Sequence, residues 1–465
     1  MINPGRVVVT LGIVFVIYSC SSYTRTQQSF NKDFEQGNLK KALETLQQGE
    51  KLSRTKFIYY ANTGLIFSIL GKYNESNEYF EKAFLFGEDY RINYANEAAS
   101  YLTNPLVTTY RGEDHEHLMV LYYKAINSLK MNKYEDALIE CRRLNIRLQQ
   151  LSDKYSAESK YQRDAFCHTL MGIIYQAAKD YNNAFIAYRN ALEIYQDDYA
   201  RLFNLAVPDQ LKMDLMNTAY WSGFQEEFQM YREQFGLPAY QPQHPDAELV
   251  FFWHNGLGPV KEEWSINFVI QSKPDNWVVF RNDELGLTFP FQLDNDDDRS
   301  RLSKLEVYRV AFPKYRERQI FYTGAKLMSQ DSIYNLELAE DINKIAFHSL
   351  KERMTLEFSK GLLRAALKKA AEHSIRKEDE ALGAMIGIIN AMTEHADTRN
   401  WQTLPHDISY SRIPLRIGQN AVDFEMTEST GKVVIHHFTY DAQQDQTLFH
   451  TFSSLESYGL SGRFY

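Results

Sequence analysis

Two glycines 34 residues apart, Gly37 and Gly71, constrain this chain more than any other feature. They open similar stretches, Gly37-Asn38-Leu39-Lys40-Lys41-Ala42 and Gly71-Lys72-Tyr73-Asn74-Glu75-Ser76. The second copy carries Tyr60, Gly64 and Phe67 before its glycine, and Phe80 and Ala83 after it. Related residues recur at Tyr134, Ala137, Cys141 and Leu144, and most completely at Gly172, Tyr175, Tyr181, Ala184, Tyr188 and Ala191. Small residues let two paired helices approach closely, aromatics fill the gap between pairs, and glycine or a polar residue closes the turn. Such a period predicts a stack of helical hairpins that gain a core only by stacking.

A 34-residue period is that of the tetratricopeptide (TPR) repeat. Spacing between copies is uneven, so insertions are expected at roughly 88–115 and 147–162. Asn217 to Phe235, with Tyr220, Phe224, Phe228 and Tyr231 at helical spacing, reads as a degenerate final pair. Alignment to the glycines places Ile58, Leu65, Ile69, Tyr122, Ile126, Phe166 and Ile173 on the concave face, with Ser68 and Lys130 among their neighbours. This partner groove is apolar and lacks the Lys/Arg set that clamps a peptide carboxylate. It suits an amphipathic helix or an extended apolar peptide. The other reading is that the insertions or the C-terminal half fold back and fill it.

Export is the expectation for the start of the chain. Met1 to Arg6 is positive, Val7 to Tyr18 is an unbroken apolar run, and Ser19-Cys20-Ser21-Ser22 follows. A run that short is a signal rather than a spanning helix. The small residue before Cys20 resembles a bacterial lipobox, with Tyr18 an unusual residue in it. Cys20 is therefore the expected lipidation site, and an outer membrane facing the periplasm the expected location, with the cell surface as the alternative. A formal charge of -9 argues against nucleic acid as a partner. Beyond Cys20 only Cys141 and Cys167 remain, without metal-ligand spacing.

Gly236-Leu237-Pro238, Pro242 and Pro245 break the helical pattern. The expected division is a signal peptide at 1–19, a TPR-like array at 20–236, a linker at 237–246 and a mixed α/β domain at 247–465. In that last part Leu249 to Trp253, Trp264 to Ile270, Trp277 to Arg281 and Val307 to Phe312 read as strands. Asn255 to Pro259 should connect the first two. A long helix is expected from Ala339 to Arg376, then a short apolar helix from Ala381 to Thr393 bearing Gly383 and Gly387. Strands resume at Ile408 to Ile417, Ala421 to Met426, Val433 to Tyr440 and Leu448 to Ser453. The fold class is an all-α superhelix followed by an α+β domain whose helices sit between strand groups.

Three strings, His254-Asn255-Gly256-Leu257-Gly258-Pro259-Val260-Lys261-Glu262-Glu263, Leu350-Lys351-Glu352-Arg353-Met354 and Ala396-Asp397-Thr398-Arg399-Asn400-Trp401-Gln402-Thr403-Leu404-Pro405, carry a resemblance. The chain resembles a family of bacterial outer-membrane TPR-containing lipoproteins over nearly its whole mature length. The resemblance implies an envelope role near peptidoglycan-synthesis proteins, and brings no catalytic residues with it.

Among chemical candidates, His395, Asp397 and Arg399 cluster where a helix is expected to end. They read either as a hydrolytic site or as a clasp between helix and sheet, with Trp401 packed beneath. Glu262 and Glu263 read as a solvated hairpin end. Asp294 to Asp298 lacks the glycine and distal glutamate of a calcium loop. His436 and His437 are adjacent in a strand and point to opposite faces. Trp253, Trp264 and Trp277 are candidate stacking platforms for a glycan. No phosphate loop, dinucleotide fingerprint or nucleophile elbow is present, so no cofactor is expected. The functional expectation is a membrane-anchored adaptor holding a protein partner in the groove, with a hydrolase or a glycan-binding module as alternatives.

Overall fold

The computed structural model describes residues 26–49, 53–88, 109–154, 163–284, 286–302, 305, 307–351, 362–363, 366–367, 369–370 and 396–456. Its first half is a run of helices: α1 (26–35), α2 (Leu39–Gly49), α3 (Lys56–Ile69), α4 (Tyr73–Glu88), α5 (Asp114–Lys130), α6 (Tyr134–Lys154), α7 (Ala165–Ala177), α8 (Tyr181–Ile194), α9 (Asp209–Trp221) and α10 (Gln225–Gln234). A π-helical turn, Tyr195–Tyr199, carries α8 on into Ala200–Phe203.

One turn design joins the pairs. Gly37, Gly71, Asn132, Lys179 and Gly223 all have positive φ, between 57° and 81°. The amide after each bonds to a carbonyl five residues back, as Lys72 to Phe67 at 2.8 Å and Asp180 to Tyr175 at 2.9 Å. That is the Schellman closure of a helix. Within a pair, small residues meet large ones. A Cβ on Gly64 would lie 2.8 Å from the Phe80 ring, and one on Gly172 would lie 2.4 Å from the Tyr188 ring. These contacts explain the sequence repeat directly, since only glycine leaves room for the aromatic there.

Among the described residues the second half holds three four-stranded sheets. Its strands are β1 (Ala247–Asn255), β2 (Val260–Lys273), β3 (Trp277–Asn282), β4 (Leu287–Gln292), β5 (Val307–Arg316), β6 (Tyr322–Ser329), β7 (Ser332–Asn335), β8 (Glu337–Asp341), β9 (Asp407–Leu415), β10 (Gly418–Glu428), β11 (Val433–Ala442) and β12 (Thr447–Ser453). The orders are β12-β1-β9-β8, β11-β10-β6-β7 and β4-β3-β2-β5. Strands β1 and β12 run parallel, and the other pairings among the described residues are antiparallel.

The first sheet fills the hollow of the helical array. Phe252 of β1 lies 6.3 Å from Phe166 of α7. The Tyr195 hydroxyl donates to the Ala339 carbonyl at 2.7 Å, and the Tyr199 hydroxyl to Glu340 at 2.8 Å. The opposite face of β1 packs on the second sheet, with Phe251 4.8 Å from Phe424. Burial on both faces accounts for the unbroken apolar run from Leu249 to Trp253. The third sheet has a separate core, where Phe268, Phe280 and Phe312 meet Leu362 and Ala366.

Several expectations are corrected. The partner groove is not open: Ile58, Leu65, Tyr122, Ile126, Phe166 and Ile173 are 0–4% exposed, and Ile69 packs half-buried on the same core. The C-terminal half supplies the apolar cover that an exposed concave stripe of this size requires. The helix expected from Ala339 begins at 342, because 337–341 pairs with β9 as β8. Residues 147–154 belong to α6 rather than to an insertion. The other parts of the expected insertions that fall in 89–108 and 155–162, and the apolar helix with Gly383 and Gly387, lie outside the described residues, as does Cys20. Asn255 to Pro259 is buried and links two different sheets, so it forms no hairpin; Glu262 is half-buried and pairs with Lys314 and Arg316, while Glu263 is exposed and accepts from the Ala396 amide. Cys141 and Cys167 are buried free thiols.

Candidate ligand-binding cavity

Where the array and the first sheet meet, they enclose a cavity of about 190 Å³. Apolar walls come from Leu65, Ile69, Tyr123 and Phe449, and polar ones from Lys130 and His254. Each position follows from an element. Lys130 is the last residue of α5, where a cation complements the helix dipole. His254 stands near the end of β1, whose alternation sends Phe252 and His254 toward the array and Phe251 and Trp253 toward the second sheet.

The Lys130 ammonium donates to Thr451 Oγ1 and sits 5.2 Å from the centre of the Tyr73 ring. Among the described residues it forms no ion pair. Burial lowers its pKa to about 8, and the nearby Glu456 carboxylate opposes that fall. Glu456 is exposed, at the cavity's edge. His254 Nε2 lies 2.8 Å from the Tyr122 hydroxyl. With that phenol as the donor the imidazole proton sits on Nδ1, and with it as the acceptor the proton sits on Nε2. Burial drives the His254 pKa down to about 3, keeping the ring neutral. His450, paired beside Phe251, also lines the cavity, and it stacks on Phe251 at 4.8 Å with its Nδ1 3.0 Å from the Tyr440 hydroxyl. Two of the other hydroxyls that line it are engaged: Ser68 donates to Asn127 at 2.6 Å and Thr403 to Asn62 at 2.6 Å.

The candidates for hydrolysis stand elsewhere. His395 lies outside the described residues. Asp397 is gripped by Arg399 through two bonds, at 2.8 and 2.6 Å. Burial pushes the Asp397 carboxyl up, but that pair outweighs it and holds the pKa below its ordinary value. Beside it Lys261 pairs with Glu113, and Glu116 accepts from Tyr110, the Glu113 amide and the Trp401 amide at 2.7, 3.0 and 2.6 Å. Burial, then Glu113, raises Glu116 to about 7. These saturated groups clasp α5 to the β domain, with Trp401 buried beneath. Of the tryptophans expected as platforms, Trp253 is 3% exposed and packs against Phe424, Trp264 is half-buried, and Trp277 alone of the three is exposed, on β3. Asn295 caps the short helix α11 (Asp296–Leu302), accepting from the Asp297 amide at 2.9 Å. His436 packs inward on Phe452 at 4.7 Å, while exposed His437 bonds Asp423 at 2.7 Å.

Lys130 and Ser68 were legible as concave-face residues from the repeat alignment. Thr451 was not, because only the parallel pairing of β12 with β1 brings it there.

No family model and no curated protein matches this chain. Two solved structures overlap about half of it. The MamA protein is 11% identical, with 48% of this chain and 98% of that one covered and a TM-score of 0.29. BtubC (BKLC) from P. vanneervenii is 14% identical, with 51% and 88% covered and a TM-score of 0.32. Likenesses this loose say nothing about what the chain binds.

Proposed function

We propose that the chain is a lipid-anchored binding protein of a bacterial cell envelope, taking a small ligand into the cavity between its helical array and its first sheet. The observation that carries the reading is a half-buried lysine ammonium facing a polar cavity with no ion-pair partner among the described residues. Taking such a group out of water without a counter-charge is costly, and an anionic ligand that pairs with it offsets that cost on binding. The anchor is the Cys20 thiol, expected on an outer membrane facing the periplasm. Native mass spectrometry of the full chain released from its own membranes tests both parts. A bound small molecule is expected, absent from Ser453→Trp, which fills the cavity; a bare wild-type protein refutes the reading. Fatty-acid labelling is expected to vanish in Cys20→Ser with ligand binding unchanged.

A protein adaptor is the second reading, and it has the outer face of the array to use. Ile139 and Ile146, two turns apart on α6, are 45% and 54% exposed. Crosslinking in the native membrane supports it if Ile139→Asp with Ile146→Asp removes a crosslinked envelope protein, and disposes of it if the crosslinked set is unchanged.

A further inference from the structure

We infer that the cavity between the array and the first sheet is built for a small carboxylate, held by Lys130 and the Nδ1–H of His254. The inference rests on the reading of that cavity as the binding site and names the ligand class. Charge, size and wall character carry it.

The first is charge. Lys130 offers three donor hydrogens, and Thr451 Oγ1 is the hydrogen-bond acceptor for them among the described residues. His254 adds a neutral imidazole whose Nε2 faces the Tyr122 hydroxyl, and with that phenol donating, its Nδ1–H is the second donor. Two donors, one of them cationic, match the two oxygens of a carboxylate. A phosphate dianion is disfavoured, because a single ammonium does not balance it and Glu456 adds negative charge at the edge.

Size is the second. The volume of about 190 Å³ exceeds the roughly 150 Å³ of an engineered cavity that holds benzene. A ring or short chain bearing one carboxylate therefore fits, and a folded peptide does not. The third is the character of the walls. Leu65, Ile69, Tyr123 and Phe449 line the cavity along with Lys130 and give a carbon skeleton apolar surface to pack on.

A carboxylate of this kind comes from a free acid or from the end of a peptide, and the test separates the two. The full-length chain is titrated calorimetrically with benzoate, its neutral counterpart benzamide, and hippurate, which extends benzoate by a peptide unit. Benzoate is expected to bind at least about tenfold more tightly than benzamide at pH 7. Lys130→Met is expected to erase that preference while benzamide binding stays, and Lys130→Arg to keep part of it. Raising the pH from 7 to 9.5 should weaken benzoate by about tenfold or more, since the free protein must regain the Lys130 proton to bind. Hippurate binding more tightly than benzoate supports a peptide end as the source; the reverse order supports a free acid.

Equal affinity for benzoate and benzamide, or a benzoate preference that survives in Lys130→Met, overturns the carboxylate assignment while leaving the cavity as a binding site. If no probe binds, the cavity reading falls as well. Thermal unfolding of each variant shows whether it is folded, and Lys130→Arg keeps the test decisive if Lys130→Met is not.

Discussion

Buried imidazoles give this protein a sensitivity to acid that single residues explain. His115, His254 and His450 all have pKa values driven to about 3, in each case chiefly by burial. An imidazole that stays neutral when folded but titrates near 6.5 when unfolded contributes stability above pH 6.5. That contribution disappears as the pH falls toward 3. His450 is the best one to test, because its ring stacks on Phe251 with an interplanar angle of 2° and phenylalanine preserves the contact. His450→Phe should shrink the loss of unfolding free energy between pH 7.5 and pH 4.5 by about 2 kcal/mol. Urea titrations at both pH values measure it; an unchanged loss would mean that His450 titrates normally. Glu116 works in the opposite direction. With its pKa raised to about 7, its proton favours the folded state, and that contribution fades as the pH rises from about 4.5 through 7.

At the scale of elements, the repeat governs both what was legible and what can be improved. Gly172 and Tyr188 were visible as a recurring pair because each helix pair solves the same packing problem. The turns were visible for the same reason, yet Lys179 occupies a position that glycine holds at Gly37, Gly71 and Gly223. A side chain at φ +62° costs about 1 kcal/mol relative to glycine. The ion pair of Lys179 with Asp445, at 3.3 Å between half-exposed groups, offsets little of that. Lys179→Gly should therefore raise stability by about 0.5–1 kcal/mol, read as a higher denaturation midpoint at unchanged slope. The strands were less legible. Edge strand β4 contains Pro290, which argues against a strand unless one side is free of ladder bonds. Strand β8 hid in a helical pattern because its ladder partner β9 lies more than sixty residues away. Pairing over such separations leaves no local periodicity to find.

For the whole molecule, the decisive fact is that the array and the first sheet share one core, and a charged cluster locks their seam. Arg412 of β9 reaches Asp214 of α9 at 3.1 Å and Glu248 of β1 at 2.5 Å, and donates to the Tyr188 hydroxyl at 3.2 Å. Burial raises the Asp214 pKa to about 6 despite that arginine. Arg412→Met leaves two acids at the seam without their cation and should cost about 3–5 kcal/mol, with Asp214→Asn in the same chain recovering part of it. Both halves should lose stability together, because neither covers its own apolar face. Separating them at the 237–246 segment carries the argument to its end. The array ending at residue 236 exposes Tyr122, Phe166 and Ile173, and should bind a hydrophobic dye and aggregate. Mixed with the segment from 247 onward, it should lose dye binding and recover a single cooperative unfolding transition. An array that is monomeric, dye-free and cooperatively folded alone would show that the concave face does not depend on the sheet. The cavity would then be a crevice between independent bodies rather than part of one core.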